Sequence, residues 1–274
     1  MLITRIFAAL IFAPALAGLV YVGGLPLAIA CLVIVWLMLW EFVTMTLGPG
    51  QLYLKVVAYI LTTMVAVTVL DWAPPISSDL VLPAGTLLVF SAVLVRPAPL
   101  ETSVFRVGAL GLGVVYCGAL MPYLARLRDL DQGLALALMA LFCTWAADTM
   151  AYFTGRFLGR NKLYPAVSPG KTLEGAIGGW VGAVAVAFFI RFWAVDANID
   201  LSPLHTALIG TVAAVFGIIG DLCESMLKRS VGAKESGHLI PGHGGVLDRF
   251  DAAMFVAPAI YIYVTVLVQP TGGG

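Results

Sequence analysis

The feature that most constrains the fold is a series of nine apolar runs, each about as long as a membrane-spanning helix. A bilayer core about 30 Å thick needs roughly 20 apolar residues per helix, and a helix satisfies its own backbone hydrogen bonds in lipid. The sequence therefore predicts an all-α, polytopic integral membrane protein with about nine transmembrane helices. Counts of eight or ten fit as well, because the first two runs could merge and the fourth is short. The runs lie near 4–22, 25–45, 52–70, 79–95, 105–125, 133–155, 172–194, 204–226 and 252–268.

The composition agrees with a membrane protein and excludes several other classes. The 274 residues are 61% hydrophobic and 11% charged, far from the balance of a soluble domain. A net charge of zero gives no support for nucleic-acid binding. The four cysteines lie far apart in apolar surroundings, which predicts core filler and excludes a zinc site or a disulfide framework. The first run could pass for a signal peptide, but a retained first helix is favoured because further spans follow at once.

Lysine and arginine cluster in the loops after the sixth and eighth spans, which hold eight of the fifteen basic residues. Cytoplasmic loops retain positive charge, so both loops are predicted to be cytoplasmic, with a polar cavity facing that side. We predict two regions: transmembrane helices of 1–125 as a lipid or oligomer scaffold, and a catalytic transmembrane region of 126–274. The eight residues are Arg156, Arg160, Lys162, Lys171, Lys228, Arg229, Lys234 and Arg249.

Ionisable residues within the apolar runs need a partner or a function, because a charge at membrane depth costs about 2.5 to 3.5 kcal/mol. Glu41 stands near the predicted cytoplasmic end of the second span, where it could simply reach the interface. Asp148, Tyr152 and Arg156 recur every four residues and so share one helix face. That face predicts either substrate binding or a purely structural acid–arginine network.

The eighth span ends in a polar stripe. Its members, at positions i, i+3, i+4 and i+7, share one helix face at the predicted cytoplasmic end. This stripe indicates a face that is chemically active or heavily paired. The residues are Asp221, Glu224, Ser225 and Lys228.

A glycine-rich turn, "PGHGG", precedes Asp248, Arg249 and Asp251 at the start of the ninth span. Glycines let backbone N–H groups approach an anion closely. Asp221 and Asp248, on neighbouring helices, would suit Mg²⁺, which typically takes one or two protein carboxylates and completes its shell with water and phosphate oxygens. Basic residues nearby would bind phosphates, so the set predicts a nucleoside triphosphate site.

The loop after the sixth span supplies Ser168 and Lys171 in "SPGKT", just before a helix whose N terminus favours anions. We reject a P-loop here, because the leading glycine and the preceding strand are missing. His243, between glycines, is interpreted as a turn-stabilising residue more readily than as a general base.

These residues carry a family resemblance. The string "SMLKRSVGAK", then "LIPGHGGVLDRFD", resembles the signature of the phosphatidate cytidylyltransferases, also called CDP-diacylglycerol synthases. "DTMAYFTGRFLGR" and "SPGKTLEG" are similar to that family as well. The likeness is close over the C-terminal half. The pattern departs at Glu235, where the family has aspartate, and at Gly170, where it more often has lysine or asparagine.

The resemblance implies the reaction of CTP with phosphatidate to give CDP-diacylglycerol and pyrophosphate for phospholipid biosynthesis, at the cytoplasmic side of a bacterial inner membrane. It also implies a homodimer, Mg²⁺ on Asp221 and Asp248, and a second cation, for which K⁺ is the monovalent candidate. Lys228 joins these two aspartates as a predicted catalytic residue. The predicted substrate-binding residues are Arg229, Lys234, Arg249, Lys171, Ser168, Ser225, His243, Asp148 and Arg156.

Two other functions fit parts of the pattern. A CTP-dependent polyprenol kinase would share the metal and the basic residues but transfer the γ-phosphoryl group. A transporter for a phosphorylated anion would place its charges near the bilayer midplane. The charges here cluster at the predicted cytoplasmic ends of the spans.

Overall fold

A computed structural model of the chain describes residues 2–48, 51–72, 78–97, 99–193, 201–237, 239 and 244–268. For residues 2–11, 78, 79 and 193 it describes the backbone alone. Short turns separate most helices. The α-helices are α1 (Leu2–Val22), α2 (Gly24–Leu47), α3 (Leu52–Val69), α4 (Ser78–Val95), α5 (Ser103–Leu120), α6 (Tyr123–Arg128), α7 (Gly133–Leu158), α8 (Leu173–Trp193), α9 (Pro203–Ser230), α10 (Leu247–Phe250) and α11 (Ala253–Tyr263).

The helices confirm an all-α, multi-pass membrane protein. Every predicted span coincides with a helix, and among the described residues seven helical stretches are long and apolar enough to cross a membrane. Two further apolar helical segments, 12–22 and 80–95, are shorter. The number of crossings therefore stays a prediction.

The fifth predicted span is interrupted near its end. Helix α5 stops at Leu120, and α6 begins at Tyr123. Pro122 lies between them, and a proline has no N–H to continue the hydrogen-bond ladder of α5. The ninth span is divided as well: the short helix α10 precedes α11, and a π-helical segment follows at Val264–Val268.

A two-stranded antiparallel hairpin between α7 and α8 was not predicted. Strand β1 (Lys162–Tyr164) pairs with β2 (Ser168–Thr172), and Lys162 lies opposite Thr172. The "SPGKT" segment is therefore an extended strand, which agrees with rejecting a P-loop. Glu174 ties the hairpin to α8, because its carboxylate accepts hydrogen bonds from the backbone N–H groups of residues 160 and 161.

Small residues let the C-terminal helices pack closely. A side-chain carbon at Gly179 on α8 would lie 2.8 Å from the carbonyl oxygen of Ala147 on α7, and one at Gly175 would lie 2.8 Å from that of Ala151. Helices in membranes associate through such small residues, because lipid supplies no hydrophobic driving force between them. Helices α7, α8 and α9 pack against one another, so their polar faces meet. The division into two regions at 125/126 stays a prediction, and that boundary falls within α6.

The cysteines match their predicted role. Cys31, Cys117 and Cys143 are buried, and Cys223 is half-buried. All four are free thiols, so they fill the apolar interior and form no disulfide among these described positions.

Candidate active site

A cavity of about 460 Å³ lies between α7, β2, α8 and α9. Helical small residues form much of its wall, and the polar groups stand among them. Five residues predicted from sequence line this one cavity: Asp148, Arg156, Ser168, Lys171 and Asp221.

The face of α7 is as predicted. Asp148, Tyr152 and Arg156 all line the cavity, and the Arg156 guanidinium donates a hydrogen bond to the Tyr152 hydroxyl over 3.2 Å. Asp148 is exposed to the cavity despite its depth along the helix. The four-residue spacing of these side chains therefore positions an acidic and a basic side chain, Asp148 and Arg156, in the same wall of the cavity.

An ion pair joins the hairpin to α9. Lys171 Nζ lies 2.6 Å from Asp221 Oδ2, and the Ser225 hydroxyl donates to Asp221 Oδ1 over 3.3 Å. The two charged side chains are 24% and 32% exposed, so both remain open to a molecule in the cavity. Lys171 is thus in direct contact with the aspartate that the sequence marked as a metal ligand.

Lys228 forms a second charged cluster, about two helical turns beyond Asp221 on α9. Its ammonium lies 3.1 Å from Glu224 Oε2 and 2.5 Å from Asp248 Oδ1. Glu224 is fully buried, and Lys228 and Asp248 are 11% and 9% exposed. Lys228 therefore pairs with two carboxylates in a nearly closed environment.

Asp248 also organises the segment before α10. Its Oδ2 accepts hydrogen bonds from the Ser236 N–H at 2.9 Å and the Gly245 N–H at 2.8 Å, and it lies 3.0 Å from Ser236 Oγ. Its Oδ1 accepts from Lys228. The loop after α9 is therefore folded around this carboxylate.

Asp251 belongs to the same acidic region but was not among the predicted site residues. Its carboxylate interacts electrostatically with those of Asp221 and Glu224. Gly220 allows the backbone at Asp251 to lie close to α9, because a side chain at Gly220 would collide with the Asp251 carbonyl oxygen. The sequence did contain a signal for Asp251, in its position three residues after Asp248.

The sequence left open whether Glu41 simply reaches the membrane interface, and the structure shows that it does not. Its side chain is 3% exposed and binds the segment before α10. A buried carboxylate needs hydrogen-bond donors, and the loop that supplies them lies about 200 positions further along the chain, where no local pattern points to it.

Three further predicted residues, Arg229, Lys234 and Arg249, are not among the residues that line the cavity. Arg229 is exposed, and its guanidinium donates to the carbonyl of Ala233 over 3.2 Å, just beyond the end of α9. Lys234 and Arg249 are exposed as well. His243 lies outside the described residues. Phosphate binding by these four side chains stays a prediction.

No three His, Cys, Asp or Glu side chains enclose a common point in the part of the chain that the structure describes. This does not exclude a site made of two aspartates, because Mg²⁺ commonly takes only one or two carboxylates from a protein. The metal assignment to Asp221 and Asp248 therefore stays a prediction.

Comparison with known proteins gives the family. A model of the Cytidylyltransferase family matches residues 3–267, nearly the whole chain. This chain belongs to the cytidylyltransferase family. The resemblance inferred from the signature residues is thereby confirmed, and the match extends over the N-terminal helices, where the sequence alone gave only apolar runs.

Several relatives within the family are phosphatidate cytidylyltransferases. The one from Bacillus subtilis is 40% identical over 185 residues, which cover 67% of this chain and 66% of that protein. The one from Staphylococcus haemolyticus is 42% identical over 55% of this chain and 56% of that protein. The matches thus span less than two thirds of these two relatives. The Synechocystis protein is 30% identical over 96% of this chain and 97% of its own length.

Proposed function

We propose that this protein transfers a cytidylyl group from CTP to phosphatidate and so forms CDP-diacylglycerol and pyrophosphate. The observation that carries the proposal is the Lys171–Asp221 ion pair in a membrane-embedded cavity of a cytidylyltransferase-family chain. Relatives that bear the name phosphatidate cytidylyltransferase support it. The acyl chains of a lipid substrate can remain in the bilayer while its head group enters the cavity.

The side chains suit phosphoryl chemistry that needs no strong base. A phosphate oxygen of phosphatidate attacks the α-phosphorus of CTP, and the bond from that phosphorus to the bridging oxygen of pyrophosphate breaks. Both reactants are anions, so the protein must bring them together and offset negative charge. Lys171 and Arg156 present cationic groups to the cavity for this purpose. Lys228 offsets the charge of Asp248 at the adjoining cluster.

The aspartates have capacity for a divalent cation. Each carboxylate oxygen has two lone pairs, and Asp221 uses one on each oxygen for Lys171 and Ser225. Among the described residues Asp248 Oδ1 accepts a hydrogen bond from Lys228 alone, so it also keeps a lone pair for a ligand. We therefore propose that Asp221 and Asp248 hold Mg²⁺, which would supply charge stabilisation at the triphosphate. K⁺ as a second cation stays a prediction.

The fit is strengthened by an excess of acid around these residues. Glu224 Oε1 is buried without a hydrogen-bond donor among the described residues. The carboxyl group of Asp251 lies beside that of Glu224 and also interacts with that of Asp221. A nearby cation would offset negative charge on these acidic side chains.

The proposal also covers the orientation of the enzyme in the membrane and its oligomeric state. The basic residues around the hairpin and the end of α9 support a cavity mouth at the cytoplasmic face, because cytoplasmic loops retain positive charge. The bilayer would then present phosphatidate, and soluble CTP would enter from the cytoplasm. Two copies of the chain would form a homodimer, and no nucleic acid takes part.

The direct test is mass spectrometry of lipids after incubating the purified protein with phosphatidate, Mg²⁺ and CTP labelled separately in cytosine and in the γ-phosphate. We expect the cytosine label in a new CDP-lipid and the γ-label in pyrophosphate. A lipid carrying only the γ-label would establish a kinase instead. Transport of phosphatidate or another phosphorylated anion into proteoliposomes without consumption of CTP would establish a transporter.

Replacing Lys171 should separate its catalytic role from folding. We expect Lys171→Met to lower turnover about 100-fold, because a cationic group aimed at developing phosphate charge is lost. The thermal unfolding midpoint should change little, because the ion pair with Asp221 is partly exposed. Lys162→Met, an exposed lysine on β1 of the same hairpin, is the matched control. Turnover of Lys171→Met equal to that of the control would rule out this role.

A further inference from the structure

Glu41 on α2 binds a loop from the opposite end of the chain. Its Oε1 accepts a hydrogen bond from the Val246 N–H over 2.9 Å, and its Oε2 accepts one from the Leu247 N–H over 2.8 Å. These N–H groups belong to the start of α10, where a helix leaves its first donors without intrahelical acceptors. Glu41 therefore satisfies two buried backbone groups that would otherwise be unpaired.

A serine hydroxyl links Glu41 to Asp248. Ser236 Oγ lies 3.0 Å from Glu41 Oε2 and 3.0 Å from Asp248 Oδ2. The Ser236 N–H also donates to Asp248. A change in the position of Glu41 would therefore be passed to Asp248 through a single buried residue.

Two glycines show how closely the loop is fitted around Glu41. A side-chain carbon at Gly245 would lie 2.6 Å from Glu41 Cδ, and one at Gly237 would lie 2.6 Å from Glu41 Oε1. Any larger residue at either position would displace the carboxylate or the loop. Within the described residues Glu41 forms no ion pair with lysine or arginine, and its hydrogen-bonding partners there all belong to this loop.

We propose that Glu41 is a positioning residue, which holds Ser236 and residues 244–248 so that the Asp248 carboxylate stays beside Lys228. The catalytic part of this inference rests on the proposed function, because it takes Asp248 to be part of the reaction site. The physical part does not: removing one carboxylate oxygen leaves a buried N–H of Val246 or Leu247 without its acceptor.

The test compares Glu41→Gln with the unsubstituted protein in detergent. The amide has nearly the same shape but offers only one oxygen to two N–H donors. We expect kcat to fall about 10- to 100-fold, as for residues that orient a metal-binding carboxylate, with KM for CTP nearly unchanged. Amide hydrogen exchange at Val246 and Leu247 should become faster, and the number of CTP molecules bound per chain should be unchanged.

The control and the second variant keep the test decisive. Glu101→Gln, at an exposed carboxylate on the turn Leu100–Thr102, should leave kcat and exchange unchanged. Ser236→Ala should lower kcat as well, and Ser236→Thr should restore much of it because the hydroxyl returns. If Glu41→Gln does not fold, the Ser236 pair decides: Ser236→Ala with normal kcat overturns the proposal.

Three other outcomes have separate meanings. Glu41→Gln with normal kcat and normal exchange overturns the positioning role. The proposal is also overturned if turnover falls in the same proportion as the fraction of chains that bind CTP. The lost activity would then come from misfolded protein. Absence of CDP-lipid from the unsubstituted protein contradicts the proposed function, and the exchange rates then still determine whether Glu41 holds the loop.

Discussion

Asp221→Asn should abolish CDP-diacylglycerol formation, with a loss of about 1000-fold or more in turnover, while the protein remains folded. The substitution removes a charge that pairs with Lys171 in the cavity and that we propose to hold Mg²⁺. The side chain is partly exposed, so an amide of the same shape can be accommodated without a large loss of stability. Mass spectrometry of the lipid products measures the rate directly.

Asp71→Asn is the matched control for this substitution. Asp71 pairs with Arg126 over 3.6 Å, its side chain is 76% exposed, and it is not among the residues that line the cavity. We expect normal turnover from this variant. If Asp221→Asn kept even a tenth of the turnover of Asp71→Asn, the assigned role of Asp221 would be untenable.

Lys228→Ala should reduce both stability and turnover. Its ammonium is paired with Glu224, which is fully buried, and with Asp248. Removing one member of a buried ion pair costs about 3–5 kcal/mol, because the remaining charge loses its compensation. We expect a lower midpoint of thermal unfolding and a fall in turnover of about 100-fold or more at saturating CTP and phosphatidate.

A double substitution separates the two effects of Lys228. Glu224→Gln combined with Lys228→Met removes both buried charges of the pair and should restore much of the stability, whereas turnover should stay low. Lys234→Ala, at an exposed lysine, should leave the unfolding midpoint unchanged. A normal unfolding midpoint in Lys228→Ala would show that the buried ion pair does not stabilise the fold.

Features set by local spacing were predictable from the sequence. The apolar runs marked every long helix, because each span must satisfy the same length and polarity requirement. Four-residue spacing correctly placed Asp148 with Arg156 and Asp221 with Ser225. The metal and phosphate roles of these residues stay predictions until they are measured.

Features set by contacts between distant segments were missed. The hairpin β1–β2 has strands of only three and five residues, too short for a clear alternating pattern. Glu41 binds residues about 200 positions away, and its local surroundings resemble those of any carboxylate near a helix end. The pairing of Lys171 with Asp221 likewise depends on how α8 packs against α9.

Glu41 also links the N-terminal helices to the candidate site. The sequence predicted a scaffold in 1–125 and a catalytic region in 126–274. A carboxylate of α2 nevertheless accepts two backbone hydrogen bonds from the loop that carries Asp248, and it lies 3.0 Å from the Ser236 hydroxyl of that loop. The N-terminal helices therefore contribute directly to the geometry of the candidate site.

The most direct test of the account is Mn²⁺ binding, measured by electron paramagnetic resonance in the presence of CTP, with Mn²⁺ in place of Mg²⁺. We predict that the unsubstituted protein binds Mn²⁺ in a CTP-dependent manner and that Asp221→Asn and Asp248→Asn each lose this binding, because both carboxylates hold the same ion. Undiminished Mn²⁺ binding by either variant would contradict a cation shared between the two aspartates.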